Sequence, residues 1–175
     1  MFTQTKALPG VLTFSEAKYY VFSAVFTTLA VGVPYLLHQF HLAGQIFLPM
    51  HFFVMFAGIL FGWRTGLLVG VLSPLFSFSL TQMPVAALLP QVMMELAAYG
   101  LVAGFLREKK LNIWASLFSA MILGRLARIL FIVFWAPGMD AWQFIELSWP
   151  GIILQIALIP ITVYLLQKFV FEKRV

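Results

Sequence analysis

Of the chain's 175 residues, 62% are hydrophobic and only 10% charged, whereas a soluble domain devotes nearer a quarter of its residues to charge. Apolar segments cover nearly the whole length, so the chain reads as a polytopic membrane protein with no room for a soluble catalytic or nucleic-acid-binding domain. The net charge of +5 comes from basic residues flanking those segments, where they act as topology signals rather than as a nucleic-acid surface; the absence of cysteine excludes disulfides, thiolate catalysis and cysteine metal sites.

Residues 1–16, with Lys6 and the Pro9-Gly10 turn signal, read as an interfacial lead-in. The first membrane helix is expected over residues 17–37 and has no signal-peptide cleavage pattern after it. Within it Ala24, Thr28 and Gly32 recur every four residues, as do Ser23 and Thr27, a stripe of small side chains that lets another helix approach closely. That helix could belong to this chain or to a different subunit, and the spacing is the same for both. Residues 38–48 read as a loop. Pro49, suited to a first helical position, opens a second helix over residues 49–61, too short for a full span unless neighbours support it or the protein is thin there. A tight basic turn at residues 62–66 leads into a third helix over residues 65–80, kinked at Pro74, with Gly66 and Gly70 as a small contact face. A loop holding Gln82, Met83 and Pro84 precedes the fourth helix, residues 90–106. After a basic turn at residues 107–110, the fifth helix covers residues 112–135, about 36 Å long against a hydrocarbon core of about 30 Å. An acidic loop, residues 136–148, and a sixth helix over residues 149–169 complete an all-α integral membrane protein, a single membrane domain of six transmembrane helices.

The loops orient it. Lys6, Lys18, Arg64, Arg107, Lys109, Lys110, Lys168, Lys173 and Arg174 all fall on one side, and the other carries Asp140 and Glu146 but no lysine or arginine. The positive-inside rule then makes both termini cytoplasmic.

Arg125 and Arg128 stand inside the fifth apolar run. Each costs about 2.5–3.5 kcal/mol at a helix centre on insertion scales, so both are expected to face a polar interior with a partner. Three residues apart, they share a helix face. Glu95 and Gln91 lie on one face of the fourth helix, with Tyr99 one turn further on. Depth below the outer surface is about 8 Å for Glu95 and Gln155, about 10 Å for Arg128 and about 15 Å for Arg125. His51, Tyr35 and His38 sit near the same surface, and the inner helix halves hold almost nothing polar beyond serine and threonine. This asymmetry points to a water-accessible pocket opening outward. One account has Glu95 neutralising an arginine and locking two helices. The other notes that one carboxylate cannot neutralise two guanidinium groups, so the surplus charge suits a ligand carboxylate, phosphate or carbonyl-rich ring held by the guanidinium fork. Trp135 and the other aromatics at that end serve either to stack on such a ring or as an interfacial belt. His38 and His41 lack a carboxylate or cysteine at ligand spacing, so no metal site is expected. With no catalytic motif or paired acids, neither an enzyme nor a cofactor is expected.

Leu48-Pro49-Met50-His51, the stretch AGILFGWRTGLLVGVLSPLFSFSLTQMP over residues 57–84, and LLPQVMMELAAYGLVAGFL over residues 88–106 resemble the S components of energy-coupling factor (ECF) vitamin transporters. The resemblance implies an S-component-like bundle in the cytoplasmic membrane of a prokaryote. It would bind a vitamin or related micronutrient from outside and pass it inward with a membrane-embedded coupling (T) subunit and two ATPase subunits. It also implies that Gln82, Met83 and Pro84 form part of a loop covering the ligand, and that Ala24, Thr28 and Gly32 contact the coupling subunit. There Thr28 departs from the alanine of the family's small-residue pattern. Substrate-binding residues expected on these grounds are Arg125, Arg128, Glu95, Gln91, Tyr99, Gln155, His51, Tyr35 and Trp135. The alternative is a membrane scaffold resembling the MreD family of cell-shape proteins.

Overall fold

The structure, a computed structural model, describes residues 11–39, 48–136, 146, 148–166 and 168. Six helices stand among them: α1 (Ala17–Gln39), α2 (Pro49–Phe61), α3 (Trp63–Thr81), α4 (Leu89–Glu108), α5 (Ile113–Trp135) and α6 (Trp149–Leu166). The five other than α2 are long and apolar enough to cross a membrane. The protein is thus all-helical and multi-pass, and its large apolar side chains, such as Val21, Ile122, Leu130 and Ile153, stay exposed on the outer faces, where acyl chains would cover them. Of the loops, residues 40–47 and 137–145 lie outside the description, with Lys6, His41, Asp140, Trp142, Lys173, Arg174 and the side chain of His38.

Local chemistry explains the helix ends. Thr13 and Glu16 close a turn before α1: the Thr13 backbone N–H and hydroxyl both donate to Glu16 Oε1, at 3.1 and 3.0 Å, and the Glu16 N–H donates to the Thr13 carbonyl at 3.1 Å. Asn112 caps α5 by accepting from Ala115 N at 2.6 Å, so the helix starts at Ile113, one residue later than expected. α1 runs on to Gln39, and α6 is described as helix to Leu166. The expected basic turn at residues 62–66 shrinks to one residue. Gly62 adopts φ 95°, a conformation that costs glycine little and other residues much, and α3 begins at Trp63. Arg107 and Glu108 likewise continue α4, leaving Lys109 and Lys110 as the turn. α3 passes through Pro74 without interruption.

α2 is the centre of the bundle. At thirteen residues it is about 20 Å long, and Val54 through Phe61 are all buried, the mark of a helix enclosed on every side. Its shortness is resolved by support from neighbours. α3 and α4 approach it and each other through glycine: a Cβ at Gly66 would strike the Gly100 carbonyl, one at Gly58 would strike the same carbonyl, and one at Gly104 would strike the Trp63 backbone. The contact face expected at Gly66 and Gly70 is therefore real and is completed from α4. This backbone-to-backbone seam sets the position of Glu95, one turn before Gly100. One end of the bundle is tied by Leu12 N to Phe61 O at 3.1 Å and by Trp63 N to Glu108 Oε1 at 3.1 Å. Leu48, Gln82 and Ser148 mark the other.

On α1, Ser23 and Thr27 are buried while Ala24 and Thr28 are exposed, and Gly32 has nothing within 4 Å of a built Cβ. Among the described residues, then, the Ala24 and Thr28 part of the expected stripe faces away from the chain's own helices, and its Ser23 and Thr27 part is buried against them.

α6 packs through a narrow line of residues four apart: Gly151, Gln155, Ile159 and Val163. The polar member of that line, Gln155, donates from Nε2 to the Leu48 carbonyl at 3.2 Å. Leu48 itself takes a left-handed conformation, φ 49° and ψ 46°, uncommon for a branched apolar residue. Gln155→Leu should lower thermal stability by about 1 kcal/mol, the usual net worth of one hydrogen bond, with α6 the first element to lose protection in hydrogen exchange.

Candidate functional site: a carboxylate shared by two arginines

Helix periodicity puts Gln91, Glu95 and Tyr99 on one face of α4, and all three are buried, Glu95 completely at 0% exposure. Arg125 and Arg128 project from α5 toward that face. Arg128 Nη1 donates to Glu95 Oε2 at 2.7 Å and its Nε donates to Gln91 Oε1 at 3.1 Å. Arg125 Nη1 lies 3.1 Å from Glu95 Oε1, and its Nη2 donates to Ser148 Oγ at 2.8 Å. The Tyr99 hydroxyl donates to Glu95 Oε1 at 3.2 Å. From the start of α2, His51 brings Nε2 to 3.6 Å from Glu95 Oε2, too long for a hydrogen bond, and sets its ring edge-on to Tyr99 with centroids 5.3 Å apart.

Glu95 is thus the hub, its two oxygens each taken by one guanidinium. Charge-assisted bonds of this length are the strong ones, and they offset the cost of holding ions away from water. The two arginines do not face lipid: their partners come from α4 and from the residue preceding α6. Among the described residues, the hub holds two positive groups against one negative group.

Six of the nine expected binding residues, Arg125, Arg128, Glu95, Gln91, Tyr99 and His51, meet here. Gln155 is buried but bonds the Leu48 carbonyl, three residues before His51, so it supports the site from behind. Tyr35 and Trp135, at 49% and 74% exposure, are not brought to the cluster; Trp135 stacks on Phe131 of its own helix with ring centroids 5.7 Å apart. Aromatics of that kind at a helix end fit an interfacial belt. In the loop after α3, Gln82 takes φ 58° and caps the helix, Met83 is 46% exposed, and the Met83–Pro84 peptide is cis. Ser148 was missed: a lone serine in an acidic stretch has no periodicity to expose it. So was Gly124, where a Cβ would meet the Tyr99 ring at 2.6 Å.

Comparison with curated proteins and with solved structures found no match. A family model described as "ECF transporter, substrate-specific component" matches residues 18–171, nearly the whole chain and all six helices. The charged hub accordingly stands inside a membrane transport subunit, and this chain belongs to the family of ECF transporter substrate-specific components.

Proposed function

We propose that this S component captures a small anionic or carbonyl-rich molecule, a vitamin or related micronutrient, at the Arg125–Arg128–Glu95 hub. Uptake would be completed by a membrane-embedded coupling subunit and two ATPase subunits, in the cytoplasmic membrane of a prokaryote with both chain termini inside. The observation that carries this reading is the charge imbalance: two guanidinium groups converge on one fully buried carboxylate, and membrane interiors tolerate surplus charge where function uses it. A guanidinium fork is matched to carboxylate and carbonyl oxygens. Gln82, Met83 and Pro84 would cover the bound molecule. Ala24 and Thr28, exposed on α1, and the half-buried Gly32 would receive the coupling subunit, small residues allowing close helix approach. Family membership favours this reading over the MreD-like scaffold.

Purified protein in nanodiscs, screened against tritiated B vitamins by equilibrium binding, should retain one of them tightly. Arg125→Ala or Arg128→Ala should weaken that binding by about 100-fold or more, since truncating one partner of a buried charged contact costs 2–5 kcal/mol. Variants that stay folded and bind every vitamin as the parent does would move the site elsewhere.

A further inference from the structure

Resting on that reading of the hub, we infer that its two arginines divide the labour: Arg125, with His51, reads the ligand, while Arg128 positions Glu95 and Gln91. The ligand so selected is a monocarboxylate that also carries an N–H or O–H donor.

The division follows from which donors are committed. Arg128 spends Nε on Gln91 and Nη1 on Glu95, both acceptors wholly buried on α4, so it is clamped along one side of its fork. Glu95 offers no free oxygen edge, because Oε1 meets Arg125 and Tyr99 while Oε2 meets Arg128 and faces His51. Arg125 differs. Its Nη atoms touch Glu95 and Ser148, yet Nε, buried, has no hydrogen-bond partner among the described residues, and its side chain keeps 13% exposure where that of Glu95 has none. His51 is likewise uncommitted: it is buried, and among the described residues neither Nδ1 nor Nε2 has a hydrogen-bond partner. Buried polar atoms without partners are rare and call for an explanation. Since Arg128 and Glu95 neutralise one another, the charge left for a ligand is the single one on Arg125, which suits one carboxylate. A neutral imidazole holds one N–H and one bare nitrogen. The Glu95 carboxylate facing Nε2 favours the proton there, leaving Nδ1 to accept from the ligand. A dianion would exceed the available charge, and a cation would meet Arg125 directly.

The test uses the full chain in nanodiscs with tritiated pantothenate and biotin as monocarboxylate probes that carry such a donor, and riboflavin, thiamine and pyridoxine as probes without a carboxylate. The parent should retain one of the first two and prefer it over its own carboxamide by about 100-fold. Arg125→Gln, which removes the surplus charge and leaves the Glu95–Arg128 pair intact, should bring that acid-to-amide ratio near one. Arg128→Lys should weaken acid and carboxamide by the same factor, as a positioning residue would. His51→Phe should weaken both about tenfold. Arg125→Lys, which keeps the charge but loses the planar fork, supplies the same readout if Arg125→Gln fails to fold, with the ratio falling rather than holding. Tight retention of thiamine, riboflavin or pyridoxine would overturn this inference and leave the broader transport reading standing, as would an acid-to-amide ratio unchanged in either Arg125 variant. Retention of no probe by the folded parent would overturn the two together.

Discussion

Glu95→Gln should be among the most damaging single substitutions in the chain, lowering stability by about 3–5 kcal/mol, the cost of removing one partner from a buried ion pair and stranding the other. Measured against a total of about 5–15 kcal/mol for a folded protein, that is a large share. The reason is local. Glu95 is completely buried, and its oxygens lie 2.7 Å from Arg128 and 3.1 Å from Arg125. An amide keeps the shape and loses the charge, so two guanidinium groups would face each other across a neutral side chain. Thermal unfolding in nanodiscs reads the loss directly. The same substitution made in an Arg128→Gln background should cost much less, with a coupling of about 1–3 kcal/mol between the two sites. Strictly additive losses would mean that the pair does not act as a unit.

The second large effect is expected at the glycine seam. A Cβ on Gly66 would strike the Gly100 carbonyl, and one on Gly100 would strike the Gly66 carbonyl. Both obstacles are backbone, so no side chain can rotate away and the helices must part. Gly100→Ala should therefore destabilise by about 1–3 kcal/mol as overpacking does. It should also weaken ligand binding, because Glu95 sits one turn away on the same helix. Gly32→Ala is the contrasting case: nothing lies within 4 Å of its built Cβ, and alanine is the better helix former by about 1 kcal/mol. That variant should hold or gain stability, and if α1 receives the coupling subunit, its defect would appear in transport alone. Equal destabilisation at Gly100 and Gly32 would contradict the packing described.

Much of the site was legible before any coordinates, because charge inside an apolar run is conspicuous and helix periodicity then assigns it a face. Gln91, Glu95 and Tyr99 followed from spacing, and Arg125 and Arg128 from their cost in lipid. What could not be read was the company they keep. His51 was placed only near the outer end of α2, and nothing in its spacing announced that it would reach Glu95. Ser148 belongs to a stretch with no regular pattern. Tyr35 and Trp135 have an amphipathic chemistry that suits a binding pocket and a membrane interface equally, and their exposure favours the second. Helix ends moved by one to a few residues where the deciding feature was a single conformation: Gly62 at positive φ closed a turn that composition alone spread over five residues. Gly66 and Gly70 were visible as a contact face, but only the structure shows that Gly100 answers the first and the Leu96 backbone the second.

Native mass spectrometry of the purified parent and of Arg125→Ala, side by side, bears most directly on the claim that the surplus charge is there to hold an anion. The parent should carry a small acidic molecule that survives gentle ionisation, and the folded variant should have lost it. An unchanged adduct in Arg125→Ala, or a parent that carries no small molecule and instead retains a cytoskeletal protein, would contradict that claim.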